Sequence, residues 1–264
     1  MSYLLAIAFL TFIILATVST IWGRRLQGSP KVLLLHSFQT EKFEALLKLV
    51  NDAGLSVGTV EESLRDRTKV AITFDDGYED LMRIVPLLKR QQTPIMVFVP
   101  TAYIGKPNDW DHLFAKGRRR HLSEEQIREL AGLGVRFGSH GHNHRDLTLL
   151  SNAEIHSEID SSKWMLSSLT GQEIKALAFP FGRSNSAVRQ AVRKAGIELQ
   201  FGSSPLTIAG ELLGRIPITG FDNSFTIRRK LHGGIVAGVE ALKAVIVSRF
   251  SHLTPVARRA VGAS

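Results

Sequence analysis

Two adjacent carboxylates end an apolar run in the stretch VAITFDDGYED, residues 70–80. The sequence Asp-Asp-Gly is also typical of a turn with a helix cap, so Asp75 and Asp76 can have a purely structural role. Two neighbouring like charges are tolerated when a divalent cation offsets them. Because consecutive residues that leave a strand point to different sides, one carboxylate can bind a metal ion while the other reaches a water molecule beside it.

Three histidines occupy alternate positions in GSHGHNHRDL, residues 138–147, directly after another apolar run. His140, His142 and His144 can therefore converge in one short loop. Imidazole and carboxylate without thiolate form a ligand set suited to zinc, and also to cobalt, nickel or iron. The residues predict a site for one divalent transition metal ion.

Apolar, strand-like runs alternate with amphipathic helical segments along the chain. Helix starts are marked by capping-box patterns at Ser123 with Gln126 and at Ser151 with Glu154. This alternation predicts an α/β fold with a parallel sheet of about seven strands, closed or nearly closed into a barrel, in which the chemistry lies at the carboxyl ends of the strands. The predicted strands are 32–35, 69–74, 95–99, 135–138, 176–179, 198–201 and 215–218.

The amino-terminal segment YLLAIAFLTFIILATVSTIW, residues 3–22, contains no charged residue. At about 1.5 Å per residue it can cross the roughly 30 Å hydrocarbon layer, so it predicts one transmembrane helix, with a cleaved signal peptide as the alternative. Arg24, Arg25 and Lys31 follow it, and the positive-inside rule then favours a cytoplasmic catalytic domain. The predicted organisation is an anchor at 1–25, a catalytic domain at 26–235, and a carboxyl-terminal helix and basic tail at 236–264.

Composition narrows the class of protein further. The 264 residues are 44% hydrophobic, enough for the core of one large domain. The net charge of +9 is diffuse, and aromatic residues do not interleave with it, which argues against nucleic acid as a partner. A basic surface suits anionic lipid headgroups or acidic glycans better. The absence of cysteine excludes disulfides and thiolate metal ligands without indicating a compartment.

Several motifs in order resemble the polysaccharide deacetylases of the NodB-homology group, carbohydrate esterase family 4. They are VLLLHSF, TFDDG, SHGHNHRDLTLLS and ALAFPFG, and the resemblance covers residues 32–218. It implies a distorted barrel of β/α units and a metal-dependent hydrolase that removes N- or O-acyl groups from sugars. By position, it implies that Asp75 is the catalytic base and that Asp76, His140 and His144 bind the metal ion, with zinc favoured.

Three positions depart from the family pattern. Gly141 stands where a serine or threonine usually braces the loop after the first metal-binding histidine, so bracing is expected from elsewhere, for example from Ser139. Ala178 stands where an arginine orients the base, and Arg215, in RIPI, is the candidate replacement. The family's Leu-x-His motif, which carries the general acid, is matched only by KLHGG, in which His232 is displaced by one position.

Other candidates surround this constellation. His36 and His142 compete with the late histidine as proton donors, although structural roles are expected for both. Pro180, Phe181 and Gly182 are expected to shape the floor of the cleft and to contact substrate, although a simple turn that ends a strand would have the same residues.

Two tryptophans are candidates for contact with a sugar or for packing in the protein interior. Trp110, in KPNDWDHL, can stack on a sugar ring or pack within a loop. Trp164 shares a helical segment with Ile155 and Ile159 and is expected in the core.

Three functions remain open from the sequence. The first is a membrane-anchored deacetylase acting on a glycan or a lipid-linked sugar. The second is a metal-dependent amidohydrolase acting on a small non-sugar amide or cyclic imide. The third is an anchored glycan-binding protein with a degenerate site, which the missing arginine and acid make conceivable.

Overall fold

The computed structural model describes residues 29–109, 119–205 and 210–232. Within these ranges, eight strands alternate with helices. The strands are β1 (Lys31–Leu35), β2 (Ser56–Gly58), β3 (Lys69–Phe74), β4 (Met96–Val99), β5 (Arg136–Ser139), β6 (Ala176–Ala178), β7 (Leu199–Phe201) and β8 (Ile216–Pro217). The α-helices are α1 (Thr40–Asp52), α2 (Val60–Arg65), α3 (Val85–Gln91), α4 (Glu124–Gly132), α5 (Asn152–Thr170), α6 (Ser186–Lys194) and α7 (Ser224–His232).

The strands form one sheet in which the pairings are parallel, in the order β7-β6-β5-β4-β3-β1-β8, with β2 beside the first half of β3. This confirms the parallel α/β architecture expected from the alternating pattern. The strand predicted at 69–74 has the observed bounds, and the others differ at one or both ends by a residue. The sequence prediction missed β2 because Ser56–Gly58 is only three residues long and has no apolar run.

The two edges of the sheet are joined by the segment that follows residue 212. The backbone N–H of Leu213 donates to Gln200 O (2.8 Å), and that of Gly202 donates to Leu213 O (3.0 Å), so the segment lies along β7. A few residues later, Ile218 N–H donates to Leu34 O (2.9 Å), beside β1. The sheet therefore curves into the barrel-like form that the sequence predicts.

Side chains alternate between the two faces of the sheet, as the period of two in a strand requires. On β3, Val70 and Ile72 pack in the larger hydrophobic cluster with residues of α1 such as Phe43. Ala71 belongs instead to a smaller cluster with Phe98 of β4 and with residues of β1, β6 and β7. This smaller cluster fills the concave side of the sheet, so residues 71, 73 and 75 share the inner face.

Trp164 is not in the core, contrary to expectation: its exposed fraction is 71%. The buried stripe of α5 contains Ile155 and Ile159. At 100° per residue, Trp164 lies about 140° around the helix from Ile159, so it faces solvent.

Several sequence predictions lie outside the described residues, namely the anchor at 1–25, Trp110 and the carboxyl-terminal segment at 236–264. Among the residues that the structure does describe, no helix combines the length and the apolar character needed to cross a bilayer. The capping boxes predicted for the starts of α4 and α5 are both present.

Candidate active site

A sharp turn after β3 separates the directions of the two carboxylates. Asp75 N–H donates to Leu35 O (2.8 Å), so this residue still continues the ladder between β1 and β3. Asp76 and Gly77 then adopt left-handed backbone conformations, with φ of 66° and 58°. Aspartate tolerates this region better than most residues, and glycine carries no steric penalty there. A Cβ at Gly77 would also lie 3.0 Å from Val99 Cγ2. Both the backbone conformation and the lack of space for a side chain therefore favour glycine at this position.

Asp76, His140 and His144 form a buried group of potential metal ligands at the carboxyl edge of the sheet. The Nε2 atoms of both histidines lie 3.5 Å from Asp76 Oδ1, and the three donor atoms all lie within 4.8 Å of one another. Donor atoms around a tetrahedral ion with bonds of about 2.0–2.2 Å are about 3.4 Å apart, so these residues fit such an ion. The structure thus brings together the three ligand residues expected from the sequence. Their chemistry suits zinc, cobalt, nickel or iron without selecting one.

The surroundings of this group lower the pKa of both His144 and Asp76. His140 Nδ1 lies 2.7 Å from Ala178 O, which only accepts, so Nδ1 carries the proton and Nε2 keeps its lone pair for a metal ion. Burial, reinforced by His140, lowers the pKa of His144 to about 3. Burial raises the pKa of Asp76, but His144, His36 and His140 lower it by more, so it falls below the ordinary value.

Asp75 turns to the inner face of the sheet and meets Arg215. Its Oδ1 and Oδ2 accept hydrogen bonds from Nη1 (2.6 Å) and Nη2 (2.7 Å) in a bidentate pair. Burial raises the pKa of Asp75, but the charge of Arg215 and then that of His140 lower it by more, to about 2. Asp75 is therefore ionised at neutral pH.

Arg215 is fully buried, and its guanidinium donates hydrogen bonds to several partners. Nε donates to Gly202 O (2.8 Å) and Nη1 donates to Thr73 Oγ1 (3.2 Å) in addition to its bond with the carboxylate. The ring centres of Phe98 and Phe201 lie 5.4 and 5.8 Å from its Cζ, close enough for cation–π attraction. This chain has Ala178 where the family pattern has an arginine, and the structure places Arg215, from the segment that joins the edges of the sheet, on Asp75. That Arg215 replaces the family's arginine in function stays a prediction.

The histidines considered as proton donors lie in different surroundings. His36 is exposed at the carboxyl end of β1 and close enough to Asp75 and Asp76 to lower the pKa of both. His142 shares a 2.8 Å hydrogen bond with Thr101 Oγ1, which fits a structural role. His232 is exposed at the end of α7, the helix that packs against α1.

The turn Pro180–Gly182 lies against the metal-ligand loop. Phe181 has a left-handed conformation (φ 58°) that places its ring centre 4.7 Å from that of His144. Immediately afterwards, Arg183 Nη1 lies 2.7 Å from Asp146 Oδ2, which ties the turn to the loop. The turn thus lies beside the metal-ligand group, and both the expected floor of the cleft and the contact with substrate stay predictions.

Glu158 of α5 is a buried residue beside the site that the sequence interpretation missed. Its carboxylate accepts hydrogen bonds from the loop that carries His140 and His144. The sequence contains one indication of a buried polar contact here, because Glu158 and Ser162 are polar residues within the otherwise apolar stripe of α5. Polar side chains on a buried helix face usually have a specific partner.

The comparison with known families agrees with the fold and the site. The profile of the family described as Polysaccharide deacetylase matches residues 63–200, more than half of the chain. The chain belongs to the polysaccharide deacetylase family. The matched segment contains both aspartates and the three histidines of the loop, whereas His36 and Arg215 lie outside it.

Two relatives share sequence over the same extent. YxkH of Bacillus subtilis strain 168, named as a candidate polysaccharide deacetylase, is 29% identical over 191 residues, which cover 66% of this chain and 64% of YxkH. The poly-β-1,6-N-acetyl-D-glucosamine N-deacetylase of Staphylococcus aureus strain MSSA476 is 25% identical, covering 66% of this chain and 63% of that protein. In each case the match spans less than two thirds of the relative.

Among solved structures, IcaB from Ammonifex degensii superposes with a TM-score of 0.64. The superposition covers 78% of this chain and 99% of IcaB, at 20% sequence identity. At this identity the similarity establishes a shared fold.

Proposed function

We propose that this protein is a metal-dependent N-deacetylase acting on a glycan that contains N-acetylated amino sugars. The observation that carries the proposal is the pairing of a buried Asp-His-His metal-ligand group with a neighbouring aspartate held by an arginine. One strand end thus supplies both a metal ligand and a base. The name of the Staphylococcus aureus relative suggests a polymer of β-1,6-linked N-acetylglucosamine as the first substrate to test. A lipid-linked amino sugar is the second.

The chemistry divides between the ion and the protein. When bound by Asp76, His140 and His144, a divalent ion, with zinc the first choice, would polarise the acyl carbonyl and favour ionisation of water. Asp75 would accept the proton that water loses as its oxygen bonds to the acyl carbon. Arg215 would keep that carboxylate ionised and fixed in direction.

Cleavage of the carbon–nitrogen bond also requires a proton for the departing amine. We assign this role to His36, because it is exposed at the carboxyl edge of the sheet and directly follows Leu35, whose carbonyl accepts from Asp75 N–H (2.8 Å). His232 is the alternative suggested by the sequence. Loss of turnover in His36→Gln but not in His232→Gln would support the assignment, and the reverse result would transfer the role to His232.

The two alternative functions predict different outcomes. The placement of Arg215 on Asp75 weighs against a degenerate glycan-binding protein, because an arginine contacts this carboxylate although none stands at the usual position. A small-amide hydrolase would use the same ligands and base with a different substrate. Only tests with different substrates can therefore distinguish a small-amide hydrolase from a glycan deacetylase.

A substrate panel separates the three functions. The purified full-length protein, loaded with Zn²⁺ or Co²⁺, would be incubated with oligomers of β-1,6-linked N-acetylglucosamine, lipid-linked N-acetylated sugars and simple amides or cyclic imides, and released acid would be measured. We expect acetate from the glycan. Hydrolysis of simple amides or imides alone would support the small-amide hydrolase, and binding of glycan without release would support the binding protein.

We also propose that residues 1–25 anchor the protein in a membrane, with the catalytic domain on the cytoplasmic side. The proposal is supported by the uncharged segment 3–22 and by the basic residues that follow it. Carboxyl-terminal reporter fusions, one active only inside the cell and one only outside, test the orientation. Activity of the outside reporter would place the substrate among exported glycans.

A further inference from the structure

The loop that carries both histidine ligands lacks the brace that its family usually has after the first ligand. Gly141 occupies that position, with φ of 75°, and His144 also has a left-handed backbone (φ 52°). A non-glycine residue in that conformation costs of order 1 kcal/mol or more, so other contacts must hold the loop in this shape. These contacts come from one face of helix α5.

The first contact is a chain of hydroxyl groups. Gly141 N–H donates to Ser139 Oγ (3.0 Å), and Ser139 Oγ lies 2.6 Å from Ser162 Oγ. Ser162 Oγ donates to Ile159 O (2.9 Å), so the proton between the two serines belongs to Ser139. The brace expected from Ser139 is therefore present, and it ends on α5.

The second contact is the carboxylate of Glu158, one turn before Ser162 on the same helix face. Its Oε2 accepts hydrogen bonds from the backbone N–H groups of His142 and Asn143, both at 2.8 Å. Its Oε1 accepts from Asn143 Nδ2, also at 2.8 Å. Glu158 is only 3% exposed, and hydrogen bonds to a buried carboxylate are stronger than those between neutral groups.

Glu158 also leaves little room at the neighbouring glycine. A Cβ at Gly141 would lie 3.2 Å from Glu158 Oε2, which is tighter than an ordinary van der Waals contact. The carboxylate therefore contacts the middle of the segment that separates the two histidine ligands. Fixing His142 and Asn143 fixes the path of the chain from His140 to His144.

We propose that Glu158 is a positioning residue for the metal ligands: by accepting three hydrogen bonds, it holds the loop so that both imidazoles meet Asp76 around one ion. This inference rests on the proposed metal site and adds a determinant that acts without touching the ion. A glutamine at this position keeps the size of the side chain. Its neutral oxygen would accept from the two backbone N–H groups more weakly than the carboxylate does, and its NH₂ group would face Asn143 Nδ2 unless that amide rotates by 180°.

The test measures metal affinity and ligand geometry in the full-length protein. Co²⁺ would be titrated into wild type, Glu158→Gln and Glu158→Asp, with affinity from competition with a chelating dye and geometry from the visible absorption of bound Co²⁺. We expect Glu158→Gln to weaken Co²⁺ binding by about 10- to 100-fold, the usual effect of losing a group that orients ligands, and to change the spectrum. Glu158→Asp keeps the charge, so its Co²⁺ affinity should lie between those of wild type and Glu158→Gln.

Leu166→Ala is a control for general destabilisation. It removes buried packing from the same helix, two turns beyond Glu158, without a polar contact to the loop, and should leave Co²⁺ affinity and spectrum unchanged. Equal weakening in Leu166→Ala and Glu158→Gln would overturn the proposal, because general destabilisation would then explain both.

His140→Ala distinguishes failure of the inference from failure of the metal site. Wild-type affinity in His140→Ala would refute the site itself. Loss of binding in His140→Ala with wild-type affinity and spectrum in Glu158→Gln would refute only the role of Glu158. If Glu158→Gln does not fold, Glu158→Asp takes its place: weaker Co²⁺ binding than in Leu166→Ala would support the role of Glu158, and equal binding in the two variants would refute it.

Discussion

At the residue scale, two adjacent aspartates have different partners because the chain changes direction between them. Asp75 ends the inner-face series of β3 and is held by Arg215, whereas Asp76, in a left-handed conformation, lies beside His140 and His144. Burial raises the pKa of both carboxylates, but Arg215 lowers that of Asp75 by more, and His144, His36 and His140 lower that of Asp76 by more. Their different partners suit Asp76 to bind an ion and leave Asp75 beside it as the proposed proton acceptor.

The two asparagine variants should fail in different ways. Asp75→Asn should retain metal and lose on the order of 10² to 10⁴ in turnover, because a positioned proton acceptor is removed. Asp76→Asn should weaken metal affinity and recover in part with excess ion, because the only anionic ligand is removed. Metal titration and single-turnover acyl release on both variants test this. Metal loss in Asp75→Asn with retention in Asp76→Asn would exchange the two roles.

At the element scale, helix α7 is held against the end of β8 by an ion pair whose two side chains are buried. Lys230 Nζ lies 2.7 Å from Asp222 Oδ1 and donates to Pro217 O (2.9 Å). Asp222 Oδ2 also accepts from Thr219 N–H (2.8 Å). Burial raises the pKa of Asp222, but the hydrogen bonds from Lys230 and Thr219 lower it by more, to below its ordinary value of 3.8.

This ion pair predicts a pH-dependent contribution to stability. Because the pKa of Asp222 is lower in the folded state, its contribution is fully present above about pH 4 and is lost as the pH falls through the folded pKa. Asp222→Asn should lower the free energy of unfolding by about 1 kcal/mol at pH 7, and the difference from wild type should shrink towards pH 3. Urea unfolding at both pH values measures it.

Asp160→Asn, which replaces an exposed carboxylate on α5, is the matched control and should show no such change. A difference between wild type and Asp222→Asn that is the same at pH 7 and pH 3 would contradict the expected role of the charge.

At the scale of the whole molecule, closure of the barrel and assembly of the site depend on the same segment. Arg215 N–H donates to Ser204 O (2.9 Å) beyond β7, and the next two residues pair with β1 as β8. Its side chain crosses the interior to Asp75 on β3. The arginine thus links three parts of the barrel and holds the carboxylate of Asp75, the proposed base.

Arg215→Lys should therefore affect both stability and turnover. Lysine keeps a positive charge but cannot form the planar bidentate pair or the bond from Nε to Gly202 O. We expect the free energy of unfolding to fall by about 2 kcal/mol and turnover to decrease, with metal affinity near that of wild type. Thermal unfolding, single-turnover acyl release and metal titration test the three expectations. Wild-type turnover in the lysine variant would show that the base needs only a nearby charge.

Much of the fold and of the metal site could be predicted from the sequence because the relevant patterns are short-range. An apolar run of strand length, a capping box and an Asp-Asp-Gly turn each depend on neighbouring residues. Asp75 and Asp76 directly follow a strand, and the histidines occupy one loop after another strand. In a parallel sheet these strand ends must meet at one edge, so residues 64 positions apart, Asp76 and His140, could be grouped without coordinates.

Other features depended on the tertiary structure because they join positions whose spacing carries no local signal. Arg215 lies 140 residues from Asp75, and only the closure of the barrel between β7 and β1 brings its guanidinium to that carboxylate. Glu158 meets the histidine loop only because α5 packs against it, and the sequence does not indicate which loop that helix contacts. Trp164 is a different case, because its position about 140° around α5 from Ile159 already places it off the buried stripe, and the helical spacing in the sequence could have shown this.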